Sequence, residues 1–296
     1  MNVDETIRTE DYLQGLAQAF DDAGLYYGHG TDNAWDEACW LLETVMQRHG
    51  VRQLSPDMRL DPGSIELREI DTLSQTRIAT RKPLAYLLSE AWFCGRSYYV
   101  DERVLVPRSP LAELIDNRFE ALIPHEPARI LDLCTGSGCI GIACALEFPQ
   151  AEVVLADLSA DALAVAAINI ERHDVKDRVG VVESDLFEKV EGTFDLILCN
   201  PPYVGESEYG ELPDEYRHEP AFGLLSEEEG LAIPRRILAA AARYLNEGGH
   251  LILETGATWP LLDAAFQQLP FLWLEFEQGG EGVCMLSRKD LLTHLS

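Results

Sequence analysis

The sequence predicts an α/β chain in which a doubly wound, mostly parallel sheet follows a small helical bundle and a connecting β-hairpin. Three observations predict it. From about residue 111 onward, short β-branched runs alternate with amphipathic helical stretches. Before residue 90, apolar residues recur at helical spacing. Between the two, "AWFCGRSYYVDERVLVP" is aromatic and β-branched. The expected organisation is a helical domain at 1–90, a hairpin linker at 91–110 and an α/β domain at 111–296.

The elements follow in order. In "DYLQGLAQAFDDAGL", Leu13, Leu16, Ala17 and Phe20 fall on one helical face. "TDNAWDEACWLLETVMQRHG" opens with cap-forming residues and closes at Gly50. "GSIELREIDTLSQTRIATRKP" spaces Ile65, Leu67, Ile70, Leu73 and Ile78 at broadly helical intervals and stops before Pro83. These are about three short helices with a core of their own. The aromatic segment, with Gly95 and an Asp-Glu turn, reads as the hairpin. Strands are then expected at 129–134, 152–156, 179–183, 194–199 and 250–254, with helices between them; Ser159 caps the helix that starts "SADALAVAAINIERHD". "FLWLEFE" and "GVCMLSR" add two more strands. Their short glycine-rich join makes them antiparallel and brings the sheet to seven.

Composition narrows the function. The N-terminus is acidic without an apolar core, and no apolar run reaches membrane-spanning length, so a cytoplasmic protein with no membrane partner is expected. Seven cysteines occur without a Cys-x-x-Cys pair and mostly within apolar runs, which fits reduced, buried thiols and no metal site. The net charge is −28, from 51 acidic and 23 basic residues, and no basic cluster offers a face to a phosphate backbone. Two readings of the acid excess stay open. It can steer a basic partner, or it can reflect a saline habitat, since only four of the basic residues are lysines.

Two motifs carry the chemistry. "LDLCTGSGCIG" places Gly136, Gly138 and Gly141 as G-x-G-x-x-G between a strand and a helix, a weak nucleotide-loop signal on its own. Asp132, just before the glycines, would repel a pyrophosphate but suits the ammonium and sulfonium of S-adenosylmethionine. Asp157 ends the next strand, 19 residues after Gly138, where a carboxylate accepts from both ribose hydroxyls. Asp185, after the third strand, is placed to accept from the adenine amine. Each acid alone could be a turn residue or a cap; three at successive strand ends point to a cofactor site. Cys134, Thr135 and Ser137 in the loop, Leu158 and Leu186 beside the acids, and Asn200 complete the expected S-adenosylmethionine set.

The second motif, "FDLILCNPPYVGE", ends an apolar strand at Asn200, Pro201, Pro202 and Tyr203. Proline alone stops a strand; it does not explain the asparagine or the tyrosine. A planar nitrogen is a poor nucleophile because its lone pair is delocalised. To be methylated, its N–H groups need two acceptors that turn the lone pair toward the methyl. The Asn200 side-chain oxygen and the Pro201 carbonyl, its backbone locked by the prolines, supply them, and Tyr203 packs on the flat target.

The order of glycine loop, Asp157, Asp185 and "NPPYV" resembles the class I S-adenosylmethionine-dependent methyltransferases that modify glutamine side chains in proteins, and the resemblance covers nearly the whole chain. It implies a Rossmann-like sheet, glutamine binding by Asn200, Pro201, Pro202 and Tyr203, and substrate recognition by residues 1–90. Of two branches, one modifies the Gly-Gly-Gln glutamine of peptide release factors and the other a glutamine of ribosomal protein L-three. Residues 26–38, 106–115 and 216–224 are similar to the ribosomal branch. Pro107-Arg108-Ser109-Pro110-Leu111-Ala112 replaces the Pro-Arg-Pro-Glu-Thr-Glu of the release-factor branch, and Cys134 stands where that branch has glycine. A nucleic-acid adenine methyltransferase shares the Asn-Pro-Pro-Tyr corner, but it needs the basic groove that this chain lacks. A non-catalytic binding module is disfavoured by the intact Asn200.

Overall fold

A computed structural model describes residues 6–295. Chain packing separates two units, one made of the chain up to Glu90 together with Pro213–His218, the other of Ala91–Leu212 and Glu219–Ser296.

The first unit begins with β1 (Ile7–Arg8) and α1 (Thr9–Asp22). These are followed by α2 (Ala34–Arg48), β2 (Arg59–Leu60), α3 (Ile65–Thr80) and α4 (Leu84–Leu88). Asn33 and Ser64 cap α2 and α3 by accepting from the backbone N–H groups of Asp36 and Leu67. Leu13, Leu16, Ala17 and Phe20 are all buried, in one core with Leu41, Leu42, Val45 and Ile70. Ile65 departs from the expected apolar face, because the first turn of α3 leaves it 60% exposed. β1 and β2 pair antiparallel, an element with no pattern in the sequence.

This unit also contains a buried charge network. Arg77, 1% exposed, donates to Glu37 at 2.7 Å, to the Tyr26 carbonyl at 2.9 Å and to Glu215 at 3.4 Å. Glu215 also accepts from Arg81 at 3.3 Å and from the Tyr26 N–H at 3.0 Å. Next to it, the Tyr216 ring packs against His29 and Tyr26 with centroid distances of 4.6 and 5.7 Å. The segment Pro213–His218, distant in sequence, is therefore fixed to the helical unit by charge and by aromatic contact.

The second unit opens with the hairpin, β3 (Ala91–Phe93) and β4 (Arg96–Tyr98), which turns at Cys94-Gly95. It is shorter than expected, since strand pairing stops before the Asp-Glu turn and residues 103–109 run as irregular chain. There follow α5 (Leu111–Asp116), β5 (Arg129–Leu133), α6 (Cys139–Glu147), β6 (Glu152–Asp157), α7 (Ala160–Arg172), β7 (Val179–Glu183), β8 (Phe194–Cys199) and α8 (Glu206–Glu211). After the excursion to the first unit come α9 (Ala232–Ala241), β9 (Leu245–Glu254), α10 (Trp259–Ala265), β10 (Leu272–Trp273), β11 (Val283–Ser287) and α11 (Arg288–His294). Ser159 caps α7 as its sequence predicts.

The sheet has seven strands in the order β10-β11-β9-β8-β5-β6-β7, with β5 to β9 parallel and β10 and β11 antiparallel. Alternate residues point to opposite faces. Ile130, Leu196, Leu198 and Ile252 join the core that includes α6 residues, while Leu131, Ile197, Leu251 and Leu253 join the core under α9 and α11. β10 keeps two residues of the longer strand its sequence suggests. All seven cysteines are free thiols; Cys39, Cys94 and Cys134 are only partly buried.

Candidate active site

The C-terminal ends of β5, β6, β7, β8 and β9 meet at one cavity of about 230 Å³ within the second unit. This is the edge at which a parallel α/β sheet binds its ligands. Beyond the sheet, the wall is completed by residues 103–109 and by Pro220 with Phe222–Leu225.

The glycine loop leaves β5 through three left-handed residues, Cys134, Gly136 and Gly138, with φ of 61°, 55° and 81°. Cysteine at such an angle carries strain that glycine would not. Gly141 serves close packing, since a Cβ there would lie 2.2 Å from Leu155 and 2.9 Å from Asp132. Cys134, Thr135, Gly136 and Ser137 line the cavity, but Gly138 does not.

Asp132 lies deeper than its place at a strand end suggests. It is fully buried beneath the loop and off the cavity wall. One of its oxygens accepts from Thr135 Oγ1 at 2.5 Å and from the Gly141 N–H at 2.9 Å, so the side chain braces the loop. The other oxygen has no hydrogen-bond partner among the described residues. Burial pushes this carboxyl up to about 7, against the pull of Thr135 and Gly141.

Asp157, at the end of β6, faces the cavity. Its two oxygens accept from the Gly136 and Ser159 N–H groups, each at 2.9 Å. One carboxylate thus ties the glycine loop to the next strand and keeps lone pairs for further donors. Leu158 lies beside it, 65% exposed over the cavity. Asp185 and Leu186 also line the cavity. Asp185 is not a lone acceptor, because Arg236 pairs with it at 2.9 Å.

The Asn-Pro-Pro-Tyr corner occupies the same edge, with Asn200, Pro201, Pro202 and Tyr203 all on the wall. It is fixed from several sides. Val204 bridges in parallel to Leu225, the Tyr203 carbonyl accepts from Thr258 Oγ1 at 2.7 Å, and the Tyr203 hydroxyl donates to Glu254 at 3.1 Å. Two left-handed glycines make room for the tyrosine: a Cβ on Gly230 would lie 2.1 Å from its carbonyl oxygen, and one on Gly256 2.6 Å from its ring.

Three participants were not found by sequence reasoning. Glu254 ends β9 and accepts from Ser109 Oγ at 2.5 Å as well as from Tyr203. Burial pushes its carboxyl up to about 7, against the pull of Ser109, Tyr203, Arg108 and the Asn200 side chain. Arg108 grips the buried Glu219 through two bonds of 2.6 and 2.7 Å, and Glu219 also takes the Val106 N–H at 2.9 Å. The available signal for Glu254 was an acid closing an otherwise buried apolar run, "HLILE", at the edge where the other strand ends carry function.

The donor set fits S-adenosylmethionine. Asp157 presents acceptors where a ribose would sit, apolar Leu158 and Leu186 flank the place of a flat base, and the Asp132 carboxylate with its unpartnered oxygen suits a cation above the loop.

The methyltransferase small domain family matches residues 113–211. The chain is 42% identical over 293 residues to a protein of Francisella tularensis subsp. tularensis (strain SCHU S4 / Schu 4) named ribosomal protein uL3 glutamine methyltransferase, covering 98% of this chain and 92% of that one. It is equally 42% identical over 289 residues to the protein of the same name from Neisseria gonorrhoeae (strain ATCC 700825 / FA 1090), covering 97% and 96%. Among solved structures, a methyltransferase from Pyrococcus furiosus shares the fold with a TM-score of 0.50 and 22% identity, over 72% of this chain and 97% of that one.

Proposed function

Because the chain belongs to the ribosomal protein uL3 glutamine methyltransferases, we propose that it moves a methyl group from S-adenosylmethionine to the side-chain amide nitrogen of a glutamine in large-subunit ribosomal protein uL3. The observation that carries this reading is the shared cavity, whose wall holds both the glycine loop with Asp157 and the Asn200 corner.

When bound, S-adenosylmethionine supplies a methyl made electrophilic by its sulfonium. Asp157 would hold the ribose, Leu158 and Leu186 would enclose the adenine, and Asp185, paired with Arg236, would accept from its amine. Asp132 acts through the loop it braces, holding Thr135 and the Gly141 N–H in place. Asn200 Oδ1 and the Pro201 carbonyl accept the two N–H groups of the substrate amide and turn its lone pair toward the methyl. Such positioning supplies about 7–11 kcal/mol of a barrier. No strong base is required, because the methylated amide loses its extra proton after transfer.

The substrate is uL3 free in the cytoplasm before assembly. A chain of charge −28 is repelled from an RNA-covered ribosome and attracted to a free basic protein. The test offers labelled cofactor with three substrates: free uL3, assembled subunits and a release factor. Labelling of free uL3 is expected. Labelling confined to the release factor would overturn the substrate and leave the glutamine chemistry standing; labelling of naked nucleic acid alone would overturn both.

A further inference from the structure

The methyl-transfer corner works only if the Asn200 amide faces the right way. Its oxygen must point at the substrate; flipped, it would present N–H groups to N–H groups. An asparagine side chain has no intrinsic preference between the two orientations, so a neighbour must choose.

Glu254 is that neighbour by topology. β8 and β9 run parallel with Cys199 opposite Leu253, so the next residues, Asn200 and Glu254, emerge side by side at the strand ends. Glu254 is 5% exposed and has a hydroxyl donor on each oxygen, Ser109 on one and Tyr203 on the other. The register sets the Asn200 side chain next to this carboxylate, and the amide favours its ionised form. An ionised carboxylate only accepts. Asn200 can meet it only with its NH₂ group, and its oxygen is then turned away toward the cavity.

We propose that Glu254 is a positioning residue for methyl transfer. It receives the Asn200 NH₂ and so fixes Asn200 Oδ1 as the acceptor of the substrate amide, while Ser109 and Tyr203 hold the carboxylate itself in place. The proposal deepens the glutamine methyltransferase reading and rests on it for the identity of the substrate. The ionised form is the working one. Arg108 favours that form, and Tyr203 and Cys199, the other titratable groups facing it, stay neutral because burial pushes both up. A protonated Glu254 could donate to the Asn200 oxygen and hold the amide in the wrong orientation.

The test compares the wild-type chain with Glu254→Gln, which keeps the shape but carries both a donor and an acceptor. The turnover of free uL3 should drop on the order of a hundredfold, with the KM for uL3 and the affinity for S-adenosylmethionine unchanged. The wild-type kcat should fall on the acid side of neutrality, and that limb should vanish in the variant. In asparagine-¹⁵N-labelled protein, the Asn200 side-chain NH₂ resonance, assigned with Asn200→Ala, should move on E254Q substitution. Wild-type turnover in E254Q, or an unmoved Asn200 resonance, overturns the proposal. Should E254Q fail to fold, Ser109→Ala removes one donor and leaves the carboxylate. It should shift the acid limb to higher pH, and an unshifted limb overturns the proposal equally. A wild-type protein inactive on uL3 would refute the substrate, and the Asn200 resonance alone would still decide the role of Glu254.

Discussion

Replacing Arg77 with methionine should destabilise the helical unit far more than replacing its partner Glu37 with glutamine. Arg77 is 1% exposed and neutralises two carboxylates that are almost as buried, Glu37 at 4% and Glu215 at 1%. Without it, Glu37 loses its 2.7 Å ion pair and keeps the Thr31 hydroxyl at 3.3 Å and the nearby His29. Glu215 keeps Arg81 and the Tyr26 N–H. Breaking a buried pair by removing one partner costs about 3–5 kcal/mol, because a charge is left behind without compensation. The Glu37→Gln change is different in kind. Burial already raises the Glu37 carboxyl above its ordinary range, so its charge is costly in the native protein. Arg77 retains Glu215 and the Tyr26 and Arg81 carbonyls, and glutamine still accepts a hydrogen bond, so the loss should be about 1 kcal/mol. Hydrogen exchange of peptides from α1 to α3 reads both values. Arg77→Met should lower protection by roughly two to three and a half decades and release Pro213–His218 as well, while affinity for S-adenosylmethionine stays the same. Equal losses in the two variants would refute the reasoning.

Four further outcomes are expected. Asn200→Ala should bind S-adenosylmethionine normally and lose turnover by about a hundredfold or more, as when an oxyanion-hole donor is removed; near-normal turnover at saturation would remove the acceptor role. Asp157→Ala should weaken cofactor binding by about 1.5–3 kcal/mol, since charge-assisted bonds and the tie to Gly136 are lost together; calorimetry with unchanged affinity would take it out of the site. Asp132 and Glu254 are both carboxyls raised to about 7, so the native state binds their protons more tightly than the unfolded chain. Their contribution is complete below about pH 4 and is lost as pH rises to about 7, at a slope near 1.4 kcal/mol per pH unit for each group. His173 and His250, lowered by burial, act in the opposite direction, so the measurement is the difference between wild type and Asp132→Asn; a difference that does not vary with pH would sink the assignment. Finally, if acids in residues 205–230 steer a basic substrate, turnover at low substrate should fall with salt faster than cofactor affinity does, because the screening length shrinks to about 3 Å at molar salt; activity that rises with salt would favour the saline-habitat reading.

The parts of the molecule that were legible in the sequence are those written locally. Alternation of β-branched and amphipathic stretches gave the five parallel strands, because β5, β8 and β9 at the centre of the sheet are covered on both faces and take a nearly continuous apolar composition, and β-branched residues mark even the exposed edge strand β7. The glycine loop and Asn-Pro-Pro-Tyr stood out because left-handed turns and locked backbones restrict residue choice to glycine and proline. What was not legible depends on register or on distant partners. Glu254 follows Asn200 by more than fifty residues and becomes its neighbour only through the pairing of Cys199 with Leu253. The strand-end position of Asp132 was visible and its depth was not. Asp185 looked like a free acceptor because nothing local announces Arg236. Residues 213–218 lie within a stretch of turns, and the partners that explain why Glu215 is buried, the Tyr26 N–H, Arg81 and Arg77, are all distant in sequence.

The structure also connects the segments that set the two branches apart with the chemistry they share. Residues 106–115 and 216–224 are similar to the ribosomal branch, yet neither contains the glycine loop or the asparagine corner. Arg108 and Glu219, one from each segment, form a two-pronged ion pair whose carboxylate is buried, and the Val106 N–H joins it. Ser109, the next residue, donates to Glu254, which holds Tyr203 and lies against Asn200. Farther along, Tyr216 packs with Tyr26 and His29 of the third such segment, inside the helical unit. A bidentate pair fixes orientation as well as distance, so the cavity rim and the acceptor corner are set by one chain of bonds. Changes in the rim therefore do more than alter which peptide fits. If Asn200 and Glu254 act as proposed, these changes pass through Ser109 to the carboxylate beside Asn200, and substrate choice and methyl-transfer geometry are constrained together.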